Sequence, residues 1–486
     1  MAIPPLPDTA FVHPLGDNRE AIDALFEQVG RRLMDYLSQA GQHSPLPRAQ
    51  TDWMKTIPDH PTDLATLMDS LDKVLAQSMN PAHPGYMGHM DPLPTAISIV
   101  GDWIAAALNN NMLSVEMSPA LSRLEPLLMK EIAQDLFGLG DRSGGLLVSG
   151  GSLANLQALT LARNVKLNCL HSGLAGRAQP PVIFASQRAH TSIQKAGMVM
   201  GLGVQGVVLI PANQNGQMDV DLLVAKIQAA LEAGFTPFAV VATAGTTVMG
   251  NIDPLPEIAA IAQQYGLWLH VDAAYGGAIA FSPVHRHRLG GIEQADSVTF
   301  NPQKWLYVAK TCASVLFRDM DLLSSHFRIA APYMNVEEDW INLGELSVQG
   351  TRHADGLKLW LSLQHLGKAG YGALIQANYD LTDHFVREIR RRPYLHLASE
   401  PDMNVVCFRG CPAEVPEHQW DSWNAGLQNR LLERQHSFLS LPILDQARWL
   451  KAVLLNPFTT QEQISALFQG IDRYRAEGQG QSDSGL

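Results

Sequence analysis

Apolar residues first recur at helical spacing at Ile22, Leu25, Phe26, Val29, Leu33 and Leu37, which predicts an amphipathic helix whose stripe needs a partner surface. The stretch from Arg48 to Pro84 is broken by prolines and reads as connection with a short helix. Helical spacing returns from about Leu121 to Phe137, with Pro119 near its start. From Gly144 short apolar, β-rich runs alternate with helical segments: Leu146–Val148, Val182–Phe184, Gly206–Ile210, Phe238–Thr243, Leu267–Val271 and Ser297–Phe300. Each run is followed by a turn or a helix pattern, so the expected fold class is α/β, a mostly parallel sheet covered by helices. Beyond about Gly356 the pattern becomes helical and then mixed, and the polar tail from Gly478 to Leu486 reads as disordered.

Composition narrows the function more than the fold. A chain of 486 residues is too long for one small core and predicts two or three domains. With 46% hydrophobic and 17% charged residues it has the make-up of an ordinary soluble globular protein. A net charge of −12 argues against a nucleic-acid partner. The basic groups at His285–Arg288 and Arg390–Arg392 are short and read as solvated surface. Four cysteines in so long a chain point to reduced thiols and a cytoplasmic location. Cys407 and Cys411 lack a second ligand pair, so no metal site is expected. No basic segment leads into an apolar core at the N-terminus, and Asp102 interrupts the most apolar stretch, Ala96–Leu108; neither a signal peptide nor a membrane span is predicted.

In open parallel sheets ligands sit at the carboxyl ends of the strands, and four strand ends here carry unusual residues. After Leu146–Val148 comes Ser149-Gly150-Gly151-Ser152-Leu153-Ala154-Asn155, a Gly-rich turn opening a helix. Its free amides and Ser152 suit a phosphate, although such turns are also plain tight connections. The apolar strand Leu267–Val271 ends on Asp272. A buried carboxylate asks for a cation, such as a protonated pyridine nitrogen, or else it caps the next helix. Lys304 follows Ser297–Phe300 among apolar neighbours, where desolvation favours a neutral, nucleophilic amine; the alternative is an exposed loop lysine. His190, after Val182–Phe184, is placed to stack on a planar ring or to be a satisfied core histidine.

Taken in order, these residues resemble the group II pyridoxal-phosphate-dependent amino-acid decarboxylases. The matching text is His83-Pro84, Ser118-Pro119, Ser149 to Asn155, Ala189-His190, Thr243 to Thr247, His270 to Tyr275, Asn301 to Trp305 and Gly350 to Trp360, within about Met79 to Thr460. The resemblance implies the aspartate-aminotransferase-like fold (fold type I), with a seven-stranded, mainly parallel sheet. On that plan residues 1–85 form an N-terminal segment packing across a homodimer, 86–355 the large cofactor domain, 356–477 a small C-terminal domain and 478–486 the tail.

The resemblance also implies roles. Lys304 carries pyridoxal 5'-phosphate as a Schiff base, Asp272 partners its ring nitrogen and His190 stacks on the ring. Gly151, Ser152 and Asn301 hold the phosphate, while Thr246 and Ala274 line the ring. The expected reaction is decarboxylation of an L-amino acid at a subunit interface, with oxygen-dependent aldehyde formation as the rival outcome. Tyr86 and His89 are expected in the substrate pocket, and Lys451 stands where many members have a carboxylate-binding arginine. Two further departures are Gln303, where many members have histidine, and Ile341. By a gapless count back from Gln349–His353, Ile341 occupies the position of a loop tyrosine that donates a proton, so the donor is either Tyr333 from a rearranged loop or another source, His190 or water.

Overall fold

The computed structural model of the chain describes residues 6–54, 56–330 and 340–482. Its large sheet contains β1 (Gly144–Val148), β2 (Pro181–Ser186), β3 (Val207–Ile210), β4 (Thr236–Thr243), β5 (Trp268–Asp272), β6 (Ser297–Phe300) and β7 (Ala313–Phe317). The spatial order is β1-β7-β6-β5-β4-β2-β3. β7 runs antiparallel to both neighbours, and the remaining adjacent pairs are parallel. Six strands coincide with apolar runs read from the sequence. The seventh, β7, was not among them: Ala313 and Ser314 blunt its hydrophobic signal, and it follows the irregular Lys304 segment rather than a helix.

Every residue of β1, β5, β6 and β7 is buried, as expected for strands covered on both faces. Their period-two alternation feeds two cores. Leu147, Val240, Leu269, Val271 and Val298 enter one; Leu146, Val148, Val241, Trp268 and Val315 enter the other, with Ala154 and Ala158 of helix Gly151–Leu167. His270 and Asp272 follow Trp268 in that alternation, so both face this helix. That register puts two polar side chains where they must find buried partners.

A long helix, Asp355–Arg390, connects the large sheet to the C-terminal part and is kinked at Gly367, whose φ of 61° suits glycine. Its first portion packs on helix Ala96–Leu108, where a Cβ on Gly101 would come within 2.7 Å of the Lys358 Cα. Lys358, itself buried, ties the two helices together, its Nζ 2.7 Å from Asp102 and 2.9 Å from Asp355. Its second portion sends Phe385 and Ile389 into a separate core with Phe408, Leu450 and Phe468. That core covers the antiparallel sheet of β8 (Leu395–Leu397), β9 (Val405–Gly410) and β12 (Leu450–Val453), beside the hairpin of β10 (Ile443–Leu444) and β11 (Ala447–Arg448). The last helix, Gln461–Ser482, continues past Gly478, where the sequence predicts disorder. Once Ile464, Leu467, Phe468 and Ile471 anchor its first turns, adding residues is cheaper than starting a helix anew.

The N-terminal stripe forms helix Arg19–Ser38. It buries Ile22 and sets Phe26 edge-on to Trp103, ring centroids 5.6 Å apart. The helical pattern from Leu121 resolves into Leu121–Glu131 followed by a π-helical turn, Ile132–Leu136. Among the described residues no helix is long and apolar enough to cross a membrane.

One extended segment joins the N-terminal region to the small sheet. Phe438 donates to the Gly85 carbonyl (2.8 Å), Met87 to the Phe438 carbonyl (3.0 Å) and Val453 to the Met87 carbonyl (2.7 Å). Gly88 lies so close to Phe438 that a Cβ there would overlap the ring. We therefore expect Gly88→Ala to lower stability by about 1–3 kcal/mol through overpacking, read from urea unfolding midpoints; an unchanged midpoint would show that this contact yields freely.

Candidate active site

The carboxyl ends of β1, β4, β5 and β6, with the turns after them, surround a cavity of about 310 Å³. Its wall includes Gly150, Gly151 and Ser152 from the turn after β1, His190 from the segment after β2, Thr243, Gly245 and Thr247 around the end of β4, Asp272 and Ala274 at β5, and Asn301, Gln303 and Lys304 beyond β6. Seven residues singled out in the sequence are thus brought together: Gly151, Ser152, His190, Asp272, Ala274, Asn301 and Lys304.

Each end of the cavity has its own chemistry. Helix Gly151–Leu167 begins at Gly151, so its first amides have no intrahelical acceptor and its positive dipole end faces the cavity. Ser149 N–H is occupied by Gln349 Oε1 at 3.1 Å, which helps fix the turn. A Cβ on Gly151 would sit 2.7 Å from Asn301 Nδ2, so glycine keeps this cradle open. Asn301 Oδ1 and Thr243 Oγ1 are buried with no hydrogen-bond partner among the described residues, a costly state that a polar ligand relieves.

At the other end Asp272 is 5% exposed. Its Oδ2 accepts from Asn155 Nδ2 at 2.8 Å and its Oδ1 from the Ala274 amide at 3.2 Å. The following 3-10 helix starts only at Gly276, so Asp272 closes a local turn rather than capping a helix. Between the ends stands Lys304, whose amine burial pushes below the ordinary lysine value, while nearby Asp272 pulls the other way. A depressed lysine is a better nucleophile near neutrality. Burial likewise lowers His190, with Asp272 opposing. Its Nδ1 accepts from the Ser192 amide at 3.2 Å, so the neutral ring carries its proton on Nε2.

The other expected residues lie around this group. Thr246 is buried beneath the wall, its hydroxyl oxygen accepting from the Asn251 amide at 3.0 Å, while Gly245 and Thr247 border the cavity. Gln303 borders it too, with Oε1 taken by the Cys312 amide at 2.6 Å. Lys451 is buried in β12 and donates to the Thr247 carbonyl at 3.3 Å. His89 and Tyr86 flank Phe438, with ring centroids 5.5 and 5.6 Å from it; these three lie outside the residues bordering the cavity. Tyr333 lies outside the described residues. Ile341 is exposed.

Asn155, Thr243 and Gln349 were named from the sequence without any of them being given a role. An available signal for Asn155 was an amide within an otherwise apolar helical run, since a buried amide needs partners.

What spans a cradle of amides and a buried carboxylate, within reach of an amine, is a phosphorylated aromatic aldehyde with a basic ring nitrogen. The donor set fits that group, which marks the protein as a pyridoxal-phosphate enzyme. The family model for the pyridoxal-dependent decarboxylase conserved domain matches residues 47–410, and the chain belongs to that family. It is a carboxy-lyase whose cofactor is pyridoxal phosphate. Mouse CSAD is 28% identical, with a TM-score of 0.87 over 94% of this chain and 99% of the mouse chain. The glutamate decarboxylase domain of a Vibrio parahaemolyticus diaminobutyrate-pyruvate transaminase and L-2,4-diaminobutyrate decarboxylase is 26% identical, with a TM-score of 0.83 over 97% of this chain and 98% of that one. Rhodiola rosea 4-hydroxyphenylacetaldehyde synthase shares the fold, with a TM-score of 0.85 at 20% identity, 96% of this chain and 99% of that chain being covered.

Proposed function

We propose that the protein removes the α-carboxylate of an L-amino acid as carbon dioxide and releases the amine. The observation that carries this reading is the convergence of Lys304, Asp272 and the Gly151 turn on one cavity in a chain of the decarboxylase family. When bound, pyridoxal phosphate supplies an electron sink for the breaking Cα–carboxylate bond. Lys304 is the covalent anchor, its amine pushed by burial towards the neutral form. Asp272 would keep a proton on the ring nitrogen of the bound cofactor, and His190 would stack on its ring. Gly151, Ser152 and Asn301 take the phosphate, with Thr246 and Ala274 supporting the ring. Lys451 supplies a positive charge for a substrate carboxylate, and Tyr86 and His89 line the approach. So polar a surround favours a polar or charged amino acid over a bulky aromatic one.

A second reading, oxygen-dependent release of an aldehyde, is favoured by one observation. Ile341, at the counted position of the loop tyrosine, has no proton to give. We further propose a homodimer with its active sites at the subunit interface. The apolar face of Phe26, Met34, Trp103, Ile104 and Leu108, each more than 40% exposed, is the surface a partner covers.

Borohydride should bleach the yellow holoenzyme and label Lys304; a reducible adduct on another lysine in Lys304→Ala would remove the central assignment. The same preparation, given common amino acids, diaminobutyrate, ornithine and cysteine sulfinate under air and under argon, separates the two outcomes. Stoichiometric amine in both gases is expected, whereas aldehyde with peroxide under air would establish the second reading.

Burial lowers Lys451 to about 8 against the pull of Cys407 and Asp91. Its charge is present below that pH and lost above it, so kcat/KM should fall as pH rises through about 8. In Lys451→Arg the charge persists and that limb should disappear; identical profiles would exclude Lys451 from carboxylate binding. Removing residues 1–41 should yield monomer, aggregate or inactive protein by gel filtration and assay, and a fully active dimeric truncation would show the segment dispensable.

A further inference from the structure

Behind Asp272 lies a set of buried polar groups, of which only Asn155 borders the cavity. His270 is fully buried in β5, and burial holds its imidazole down at about 4, against the opposing influence of Asp272. At neutral pH the ring is therefore uncharged, with one donor and one acceptor nitrogen. Which nitrogen is which follows from a neighbour that has no choice. The Trp268 indole can only donate, and its Nε1 gives its hydrogen to Ser297 Oγ at 2.8 Å. Ser297 keeps its own hydrogen, and because Asn155 Oδ1 can only accept from His270 Nε2, that hydrogen goes to Nδ1, 2.9 Å away. His270 Nε2 becomes the donor, to Asn155 Oδ1 at 2.9 Å.

From Asn155 the direction divides. Its Oδ1 also receives the Thr299 hydroxyl at 2.6 Å, so the oxygen end of the amide is fully engaged on the β6 side. The amide N–H groups face Asp272 Oδ2 at 2.8 Å and Ser192 Oγ at 2.9 Å. Ser192, accepting there, has its own hydrogen free for His190 Nδ1 at 2.8 Å. One chain of hydrogen bonds, all pointing the same way, thus runs from Trp268 to both cofactor-facing side chains.

We infer that His270 is a positioning residue: through Asn155 it presents only donors to Asp272, keeping that carboxylate an acceptor, and it sets the orientation of Ser192 behind His190. Without the His270 donor, one of the two bonds pinning the Asn155 oxygen is gone. A reversed amide would aim its oxygen at the carboxylate, and Asp272 would then hold a proton itself instead of keeping one on the ring nitrogen. The inference rests on the cofactor reading above, but its first test does not need turnover.

The experiment compares wild type, His270→Leu and His270→Gln as holoenzymes. Glutamine can present an N–H to Asn155 and an oxygen to Ser297, the same polarity as the imidazole, whereas leucine presents neither. Loss of a hydrogen bond serving a charged group predicts about tenfold weaker cofactor retention on dialysis in His270→Leu, with an altered visible absorbance band. His270→Gln should retain the cofactor within about threefold of wild type, with a wild-type band. In ¹⁵N-histidine-labelled wild type, the resonance absent from His270→Gln should report a neutral ring protonated at Nε2. Should His270→Leu fail to fold, Ser297→Ala removes only a hydroxyl and should release the His270 tautomer. A ring protonated at Nδ1, an unchanged Leu variant, a Gln variant as impaired as Leu, or a Ser297→Ala tautomer identical to wild type would each overturn the inference. If wild type is not labelled by borohydride at Lys304, the cofactor reading fails instead; a labelled wild type with unchanged variants sinks the positioning role alone.

Discussion

The site depends on holding a carboxylate in a place almost sealed from water. Asp272 ends a strand that is buried along its whole length, and an unpartnered charge there would cost several kcal/mol (roughly 1–3 for even one unsatisfied hydrogen bond). The fold meets that demand with elements it already needs. Period-two alternation sends Trp268, His270 and Asp272 to one face of β5, and helix Gly151–Leu167 lies across that face. The helix has small residues, Ala154 and Ala158, at the contact, so it approaches closely enough for Asn155 to reach the carboxylate. Its N-terminus, one turn earlier, forms the anion cradle. Charge at one end of the cavity and cradle at the other are consequently held by the same rigid body.

Much of this was legible in the sequence because strand ends in a parallel sheet are marked twice, by the apolar run that precedes them and by the polar residue that breaks it. The Gly151 turn, His190, Asp272, Asn301 and Lys304 all stand at such breaks, and all border the cavity. β7 was not legible, since a short antiparallel strand with Ala313 and Ser314 carries neither mark. Nor was the role of Asn155, whose partners lie on β5, β6 and the segment after β2. One-dimensional spacing shows a buried amide but not what satisfies it. Thr246 shows a limit of resolution: the segment was found, but its hydroxyl bonds the Asn251 amide while Gly245 and Thr247 border the cavity.

The proposed substrate side is built differently. Tyr86 and His89 come from an extended segment before the large sheet, Lys451 from the small sheet, and Phe438 from the chain leading into it. Nothing in their spacing along the sequence joins them. They meet because residues 85–87 pair with Phe438 and Val453 through backbone hydrogen bonds, and because Gly85 and Gly88 allow the strands to close without a Cβ between them. Backbone pairing of this kind tolerates almost any side chain, so patterns of hydrophobicity do not encode it.

The two constructions have different consequences for change. Around Asp272 and Asn155 each polar atom answers another, and removing one leaves a buried partner unsatisfied, which couples the residues tightly. At the proposed substrate end His89 is exposed, and Lys451 has a carbonyl rather than a carboxylate as its hydrogen-bond partner, so one side chain can be exchanged without stranding another charge. A lysine in place of an arginine at position 451 keeps the positive charge while giving up bidentate geometry, and the backbone that carries it, paired with Cys407 across β12 and β9, need not move. The same asymmetry separates chemistry from outcome. Under the proposed reaction, breaking the carboxylate bond would rely on the coupled end, whereas the proton for the carbon left behind would come from outside both constructions, near Ile341.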